Sequence, residues 1–258
     1  MITRLTAAMN GIPLDSLDER IRLTDIIEEA PEEKLMTSAA ASSIGLRVTG
    51  RQRRCLKVKL RFVIREKDAA RRAMLLDRAR RWAGDGILTL GTRLDQRLRV
   101  HAEALPGAVS ALNWTQTLSM TLSAYAVPFW EDVLPVCADI GAGTPVTLRP
   151  GGTEQTPMLF SLRNVGEDTL DTVTIRLRGE AMRLTGLGLH SGETIVMDDE
   201  SGWPELYREK DGVRIIAQDC RTPDSPDALM LRPGERNEAE VEAEGKVSGK
   251  VWGRGRCR

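Results

Sequence analysis

The sequence predicts a mainly β protein, an α+β first half followed by an all-β sandwich. Three observations predict it. A strict period-two run, CLKVKLRFVI (55–64), leads into a period-3.6 run, DAARRAMLLDRARRWA (68–83). Beyond residue 137 only short alternating runs recur, each bounded by turn residues. Charge divides at the same place: residues 1–136 hold 21 Lys+Arg and 16 Asp+Glu, net +5, and residues 137–258 hold 16 and 21, net −5. A chain of 258 residues accommodates two medium domains, expected here as 1–136 and 137–258.

In the first half, Ile21, Leu23 and Ile26 mark a hairpin or extended edge. The acidic EEAPEE (28–33) is broken by Pro31, and the small-residue run TSAAASSIG (37–45) reads as a loop or extended arm. In the strand 55–64, Leu56, Val58, Leu60 and Phe62 face a core, and Lys57, Lys59 and Arg61 face water. Asp68 is a suitable N-cap for the helix. Leu75, Leu76, Ala79, Trp82 and Ala83 form its apolar face, with Arg71, Arg72, Arg78, Arg80 and Arg81 largely on the remainder. Gly84 ends it. ILTL (87–90), RLRVHAEAL (97–105) and LNWTQTLSMTLSAYAV (112–127) then read as strands.

The second half offers strands near 157–166, 172–179, 182–190, 193–198, 213–218, 228–234, 237–245 and 246–253, spaced as in a β-sandwich. LRPG occurs twice, at 148–151 and 231–234, and reads as a type II turn each time, with glycine taking positive φ.

Catalytic chemistry is hard to place. His101 sits in an alternating strand, and its H-x-E is not followed by the two cysteines a zinc deaminase needs. GLHSG (188–192), around His190, is not a nucleophile elbow. Cys55, Cys137, Cys220 and Cys257 form no C-x-x-C pair, so free thiols are expected rather than a zinc site or disulfide framework. The N-terminus has no apolar h-region, and no run approaches the roughly 18 apolar residues of a membrane span. The expectation is a protein that is not an enzyme, with no cofactor, no metal and no membrane partner.

Residues 47–81 carry fourteen Lys+Arg against three acids, and residues 15–33 carry eight acids against two arginines. Three readings compete for the basic segment: nucleic-acid binding, a solvated face, and an ion-pair interface with the acidic segment of a neighbouring copy. The third gives candidate interface residues Glu28, Glu29, Glu32, Glu33, Arg51, Arg53 and Arg54. A separate aromatic pair, Trp203 and Tyr207 in SGWPELYRE, is the feature a carbohydrate-binding module would use, provided both rings are exposed. Finally, SMTLSAYAVPFWED (119–132) holds three of the ten aromatics of the chain. Tyr125, Pro128, Phe129 and Trp130 read as a domain junction, with Pro128 ending strand pairing.

The whole pattern resembles the distal tail protein family of siphophages. The features that carry the resemblance are the cationic strand RRCLKVKLRFVI, the helix after it, the long strand ending AYAVPFWED, RNVGEDTLDTVTIRLRG and LMLRPGERNEAEV. Val127-Pro128-Phe129-Trp130 fits the family's strand ending, with Val127 where many relatives have a polar residue. The resemblance implies a ring-forming N-terminal domain that makes a homohexamer and a galectin-like C-terminal β-sandwich. It implies a structural virion protein at the distal end of a long non-contractile tail, assembled in the host cytoplasm. Its implied partners are the tail-tube protein and the tail-tip hub protein, with receptor-binding or tape-measure proteins as further ones. DNA would only pass through the ring lumen.

Overall fold

A computed structural model describes residues 5–29, 33–38, 47–53, 55–107 and 114–257. The chain divides into two compact units, one ending at Trp130 and one spanning Glu131–Cys257, so the division falls before the expected Val136.

The first unit contains β1 (Ala7–Met9), β2 (Ile12–Pro13), β3 (Ile21–Glu29), β4 (Glu33–Ser38), β5 (Arg47–Arg53), β6 (Leu56–Arg65), α1 (Ala69–Trp82), β7 (Gly86–Leu90), β8 (Arg93–Ala104) and β9 (Thr115–Ala124). An antiparallel sheet runs in the order β2-β1-β7-β8-β9-β6-β3. Its central strand β6 follows the sequence pattern. Leu56, Val58, Leu60 and Phe62 are buried, opposite Ala124, Leu122, Met120 and Leu118 of β9. Lys57, Lys59 and Arg61 point to the other face. Among the described residues β4 and β5 pair only with each other, as a separate two-stranded ribbon. The segment read as a loop or arm is thus partly strand; residues 39–46 lie outside the described residues.

Asp68 caps α1, its Oδ1 accepting from Arg71 N at 2.8 Å. Leu75, Leu76, Ala79 and Trp82 are buried as expected. Arg72 is not on the solvent face: it is 1% exposed, because its Nη1 donates to the carbonyls of Glu66 (2.6 Å) and Lys67 (2.8 Å) and ties the β6–α1 loop down. Trp82 Nε1 donates to Ile12 O at 2.6 Å and anchors the helix end.

β10 (Trp130–Asp132) carries the chain into the second unit. There follow β11 (Val136–Gly141), β12 (Val146–Leu148), β13 (Thr156–Pro157), β14 (Leu159–Asn164), β15 (Val173–Leu177), β16 (Glu180–Leu184), β17 (Thr194–Asp198), β18 (Glu205–Lys210), β19 (Val213–Ile216), β20 (Met230–Leu231), β21 (Asn237–Ala243), β22 (Val247–Gly253) and β23 (Arg256–Cys257). A six-stranded sheet, β11-β22-β14-β17-β18-β19, and a four-stranded sheet, β12-β21-β15-β16, enclose one core. Phe160, Leu162, Ile195, Met197 and Leu206 come from the first sheet; Leu148, Val173, Ile175, Met182 and Val241 come from the second. The unit is therefore a two-sheet β-sandwich.

Two buried asparagines pin its turns. Asn164 donates to Asp168 O and Leu189 O, both at 2.8 Å, and accepts from Gly166 N. Asn237 donates to Leu148 O and Arg232 O and accepts from Arg232 N. The two LRPG segments differ. Gly234 has positive φ, as a type II turn requires, but in the first copy positive φ falls on Gly152 rather than Gly151. Gly152 lies against the backbone of β23, where a Cβ would come within 2.3 Å of Arg256 O. That close approach, not the turn motif, sets the glycine there.

Candidate functional site

The candidate surfaces are the wet face of the first unit's sheet, the ribbon beside it and the end of β9. The wet face has basic residues on β6 and acids on β3 and β8. Lys57 Nζ meets Glu103 Oε1 at 2.7 Å, and Glu103 also accepts from the buried Ser123 hydroxyl. Those two hydrogen bonds, Lys57 first, hold the Glu103 carboxyl below its ordinary pKa, and Glu103 in turn raises that of Lys57. Arg61 Nη1 lies 3.5 Å from Asp25 Oδ2, Arg20 meets Glu66 at 2.7 Å, and Arg78 lies 3.8 Å from Asp18.

The acidic segment and the basic segment therefore meet first within one subunit, because the antiparallel β3–β6 register lays one along the other. Of the seven candidate interface residues, Glu28 is engaged internally: its Oε2 accepts from Arg93 Nε at 2.8 Å. Glu29 is exposed and lies opposite Lys57 in the register. Glu33 lies opposite Arg53 and Leu35 opposite Arg51 in the β4–β5 ribbon. Glu32 and Arg54 are outside the described residues. Leu35, Met36 and Val48 expose about half of their surface on this ribbon, an unusual density of open apolar side chains for strands with no other strand partner among the described residues.

At the end of β9, strand pairing stops at Ala124, four residues before Pro128. Tyr125 is exposed, and its ring lies 6.4 Å from that of His101. Pro128 and Phe129 are half-buried, whereas Val127 and Trp130 are buried. Arg93 covers the Trp130 ring.

The aromatic pair of the second half does not form a stacking platform. Trp203 is exposed, but Tyr207 is 6% exposed. Its hydroxyl donates to Asp198 Oδ2 at 2.6 Å and Arg214 covers its ring at 4.6 Å. The condition that both rings be exposed is not met, because Tyr207 lies on strand β18 with Asp198 and Arg214 occupying that face.

Among the described residues, no group of three or more His, Cys, Asp or Glu is arranged to hold a metal ion. His101 Nδ1 pairs with Asp85 at 3.2 Å on the surface, and His190 Nδ1 meets the Thr169 hydroxyl at 3.1 Å. The four cysteines are free. No described helix is long and apolar enough to cross a membrane.

No protein-family model matches the sequence, and no curated protein sequence matches it. Solved structures do. The Dit protein (gp 19.1) of phage SPP1, described as a paradigm of the hub adsorption apparatus in Gram-positive-infecting phages, is similar over 97% of this chain and 98% of its own, at 10% identity and a TM-score of 0.69. A chain of the phage p2 baseplate in its activated conformation with Sr is similar over 96% of this chain and 97% of its own, at 8% identity and a TM-score of 0.51. At these identities the likeness is one of fold: this chain has the fold of the phage distal tail protein, along both of its units.

Proposed function

We propose that this chain is a structural protein of a phage tail tip, a distal tail hub that closes into a homohexameric ring. The observation that carries the reading is the fold likeness to the SPP1 hub protein over nearly all of both chains. In this reading the first unit forms the ring and the sandwich is carried on it. The ring sits at the distal end of a long non-contractile tail, between the tail-tube protein and the tail-tip hub protein. Receptor-binding or tape-measure proteins are further partners, and DNA only passes through the lumen. No catalytic step is assigned.

The geometry supports ring closure. The first unit's sheet ends in two unlike strands, β2 and β3, so joining one copy to the next is heterologous, the kind of contact that closes rings. Terminal strands carry unpaired backbone groups that such a contact protects. The β4–β5 ribbon supplies apolar side chains that a neighbour would cover. The candidate residues Glu29, Glu32, Glu33, Arg51, Arg53 and Arg54 would contribute charge to that contact, with Glu28 holding Arg93 in its own subunit.

Native mass spectrometry at tens of micromolar, followed by electron-microscopy class averages, tests this. Six copies in a closed ring are expected. A chain that stays monomeric and has no affinity for a tail-tube protein rejects the proposal.

A further inference from the structure

The outer face of the four-stranded sheet carries a trough of about 490 Å³ in the second unit. It has a structural cause. On β15, Thr174 lies opposite Arg183 of β16 and Glu242 of β21, and in the next row Arg176 lies opposite Ala181. Short side chains at Thr174 and Ala181 alternate with long charged ones, so the middle of the face is hollow. Its width is that of three strands, about 10 Å.

The polar groups around the hollow are of two kinds. Arg176 is fixed, its Nε and Nη2 donating to the two oxygens of Glu242 at 2.7 and 3.0 Å. That fork holds both side chains in one orientation along the wall. The hydroxyls of Thr172 and Thr174, the guanidinium of Arg183 and the carboxylate of Glu244 also line the trough, and none of them has a side-chain hydrogen bond among the described residues. Donors, acceptors and groups that do both are thus directed at the same empty volume.

We infer that this trough binds a neutral, hydroxyl-rich ligand of the carbohydrate class. Charge decides the class. Two guanidiniums and two carboxylates line the trough and cancel, so it offers no net attraction to a polyanion, whose binding rests on uncompensated cations. It offers no net attraction to a cation either. A sugar hydroxyl donates and accepts at once, which suits carboxylate, guanidinium and threonine hydroxyl alike. The volume lies within the ordinary range for small-ligand sites, about 300–1,000 Å³. No aromatic ring lines the trough, so stacking is missing and one site binds in the millimolar range, roughly −4 kcal/mol. Several copies on one particle would raise the apparent affinity. That amplification rests on the proposed ring; the site itself does not.

The test is amide chemical-shift mapping on the full chain, titrated separately with lactose, maltotriose, chitotriose and inorganic phosphate. The expected result is saturable shifts at Thr174, Ala181 and Arg183 with at least one of the saccharides. In Arg183→Ala and in Thr174→Val, both with unchanged melting temperature, that binding should weaken about tenfold. No shift with any of the saccharides overturns the inference, as do shifts centred on Trp203 or binding of phosphate alone. A monomer that binds a saccharide in the trough upholds the inference while rejecting the ring, and a hexamer that binds none does the reverse.

Discussion

The Arg93 guanidinium lies over the Trp130 indole, 4.8 Å from the ring centroid, while its Nε and Nη2 both reach Glu28 Oε2 at 2.8 Å. Its remaining nitrogen, Nη1, donates to Gln96 Oε1 at 2.8 Å. One side chain thus joins the end of β3, the start of β8 and the last residue of the first unit. The Trp130 N–H has no hydrogen-bond partner among the described residues, and Arg93 packs on the ring face. Truncating Trp130→Ala removes a wholly buried ring and should cost about 3–5 kcal/mol in denaturant unfolding. Arg93→Ala should cost about 1–2 kcal/mol, and Arg93→Lys should recover only part of it, because lysine keeps the charge but not the planar fork. Wild-type stability in Trp130→Ala would remove the anchoring role assigned to this ring.

The β4–β5 ribbon makes a separate prediction, because the fold does not need it. Glu29 of β3 lies directly opposite Lys57 of β6. Adjacent antiparallel strands that end level can be joined by a two-residue turn. Replacing residues 31–55 with Asn-Gly, which keeps Leu56 and the β3–β6 register, should therefore leave a folded chain whose melting temperature falls by no more than about 5 °C. The same deletion should abolish the proposed ring. A deleted chain that still assembles into hexamers would show that the ribbon is no part of the contact.

Acid should destabilise the sandwich in a way that can be traced to particular carboxylates. Glu193 accepts from Lys210 Nζ at 2.9 Å and from His190 N at 3.0 Å. Those bonds, the lysine first, hold its carboxyl below the ordinary value of 4.5. A lowered folded pKa means that the stabilisation is complete above that ordinary value and is lost as pH falls through the lower one. Lys210 is raised by the same bond, so its share is lost only above 10.5, as pH rises through the raised value. The melting temperature should stay level from about pH 7 to 5 and fall below that. Glu193→Gln should reduce the slope of the fall and lower the plateau by about 1 kcal/mol. An unchanged acid slope in Glu193→Gln would assign the effect to another carboxylate of the sandwich, such as Glu242, whose carboxyl Arg176 holds low.

What the sequence disclosed followed the strength of its periodicity. β6 and α1 were legible because Leu56–Phe62 and Leu75–Trp82 keep one period over several turns of pattern. β18 was not, since Leu206 turns to the core while Tyr207 is covered on the other face by Arg214, so both neighbours are buried and no alternation shows. Arg72 was misplaced because its charge outweighed its helical position; two backbone carbonyls satisfy it in the interior. The complementary charge of residues 15–33 and 47–81 was visible in the sequence. The partner of each charge was not, because that depends on the β3–β6 register and on where β8 delivers Arg93.

A close approach of β22 to β14 supplies the sharpest test of the sandwich's topology. Gly249 of β22 lies opposite Leu162 of β14, and a Cβ there would come within 1.9 Å of Ser161 O. The clash is with backbone, which cannot swing away as a side-chain tip can. Gly249 does not have positive φ, so an alanine would suffer no local backbone strain and the whole penalty would come from the neighbouring strand. Relief requires β14 and β22 to separate, and their pairing joins β11 and β22 to the rest of the six-stranded sheet. Gly249→Ala should thus destabilise the sandwich by at least about 2–3 kcal/mol, whereas Gly143→Ala, with open space around its Cβ, should cost only the positive-φ penalty of about 1 kcal/mol. Equal losses in the two variants, measured by urea unfolding of the full chain, would mean that β22 does not run against β14 as described.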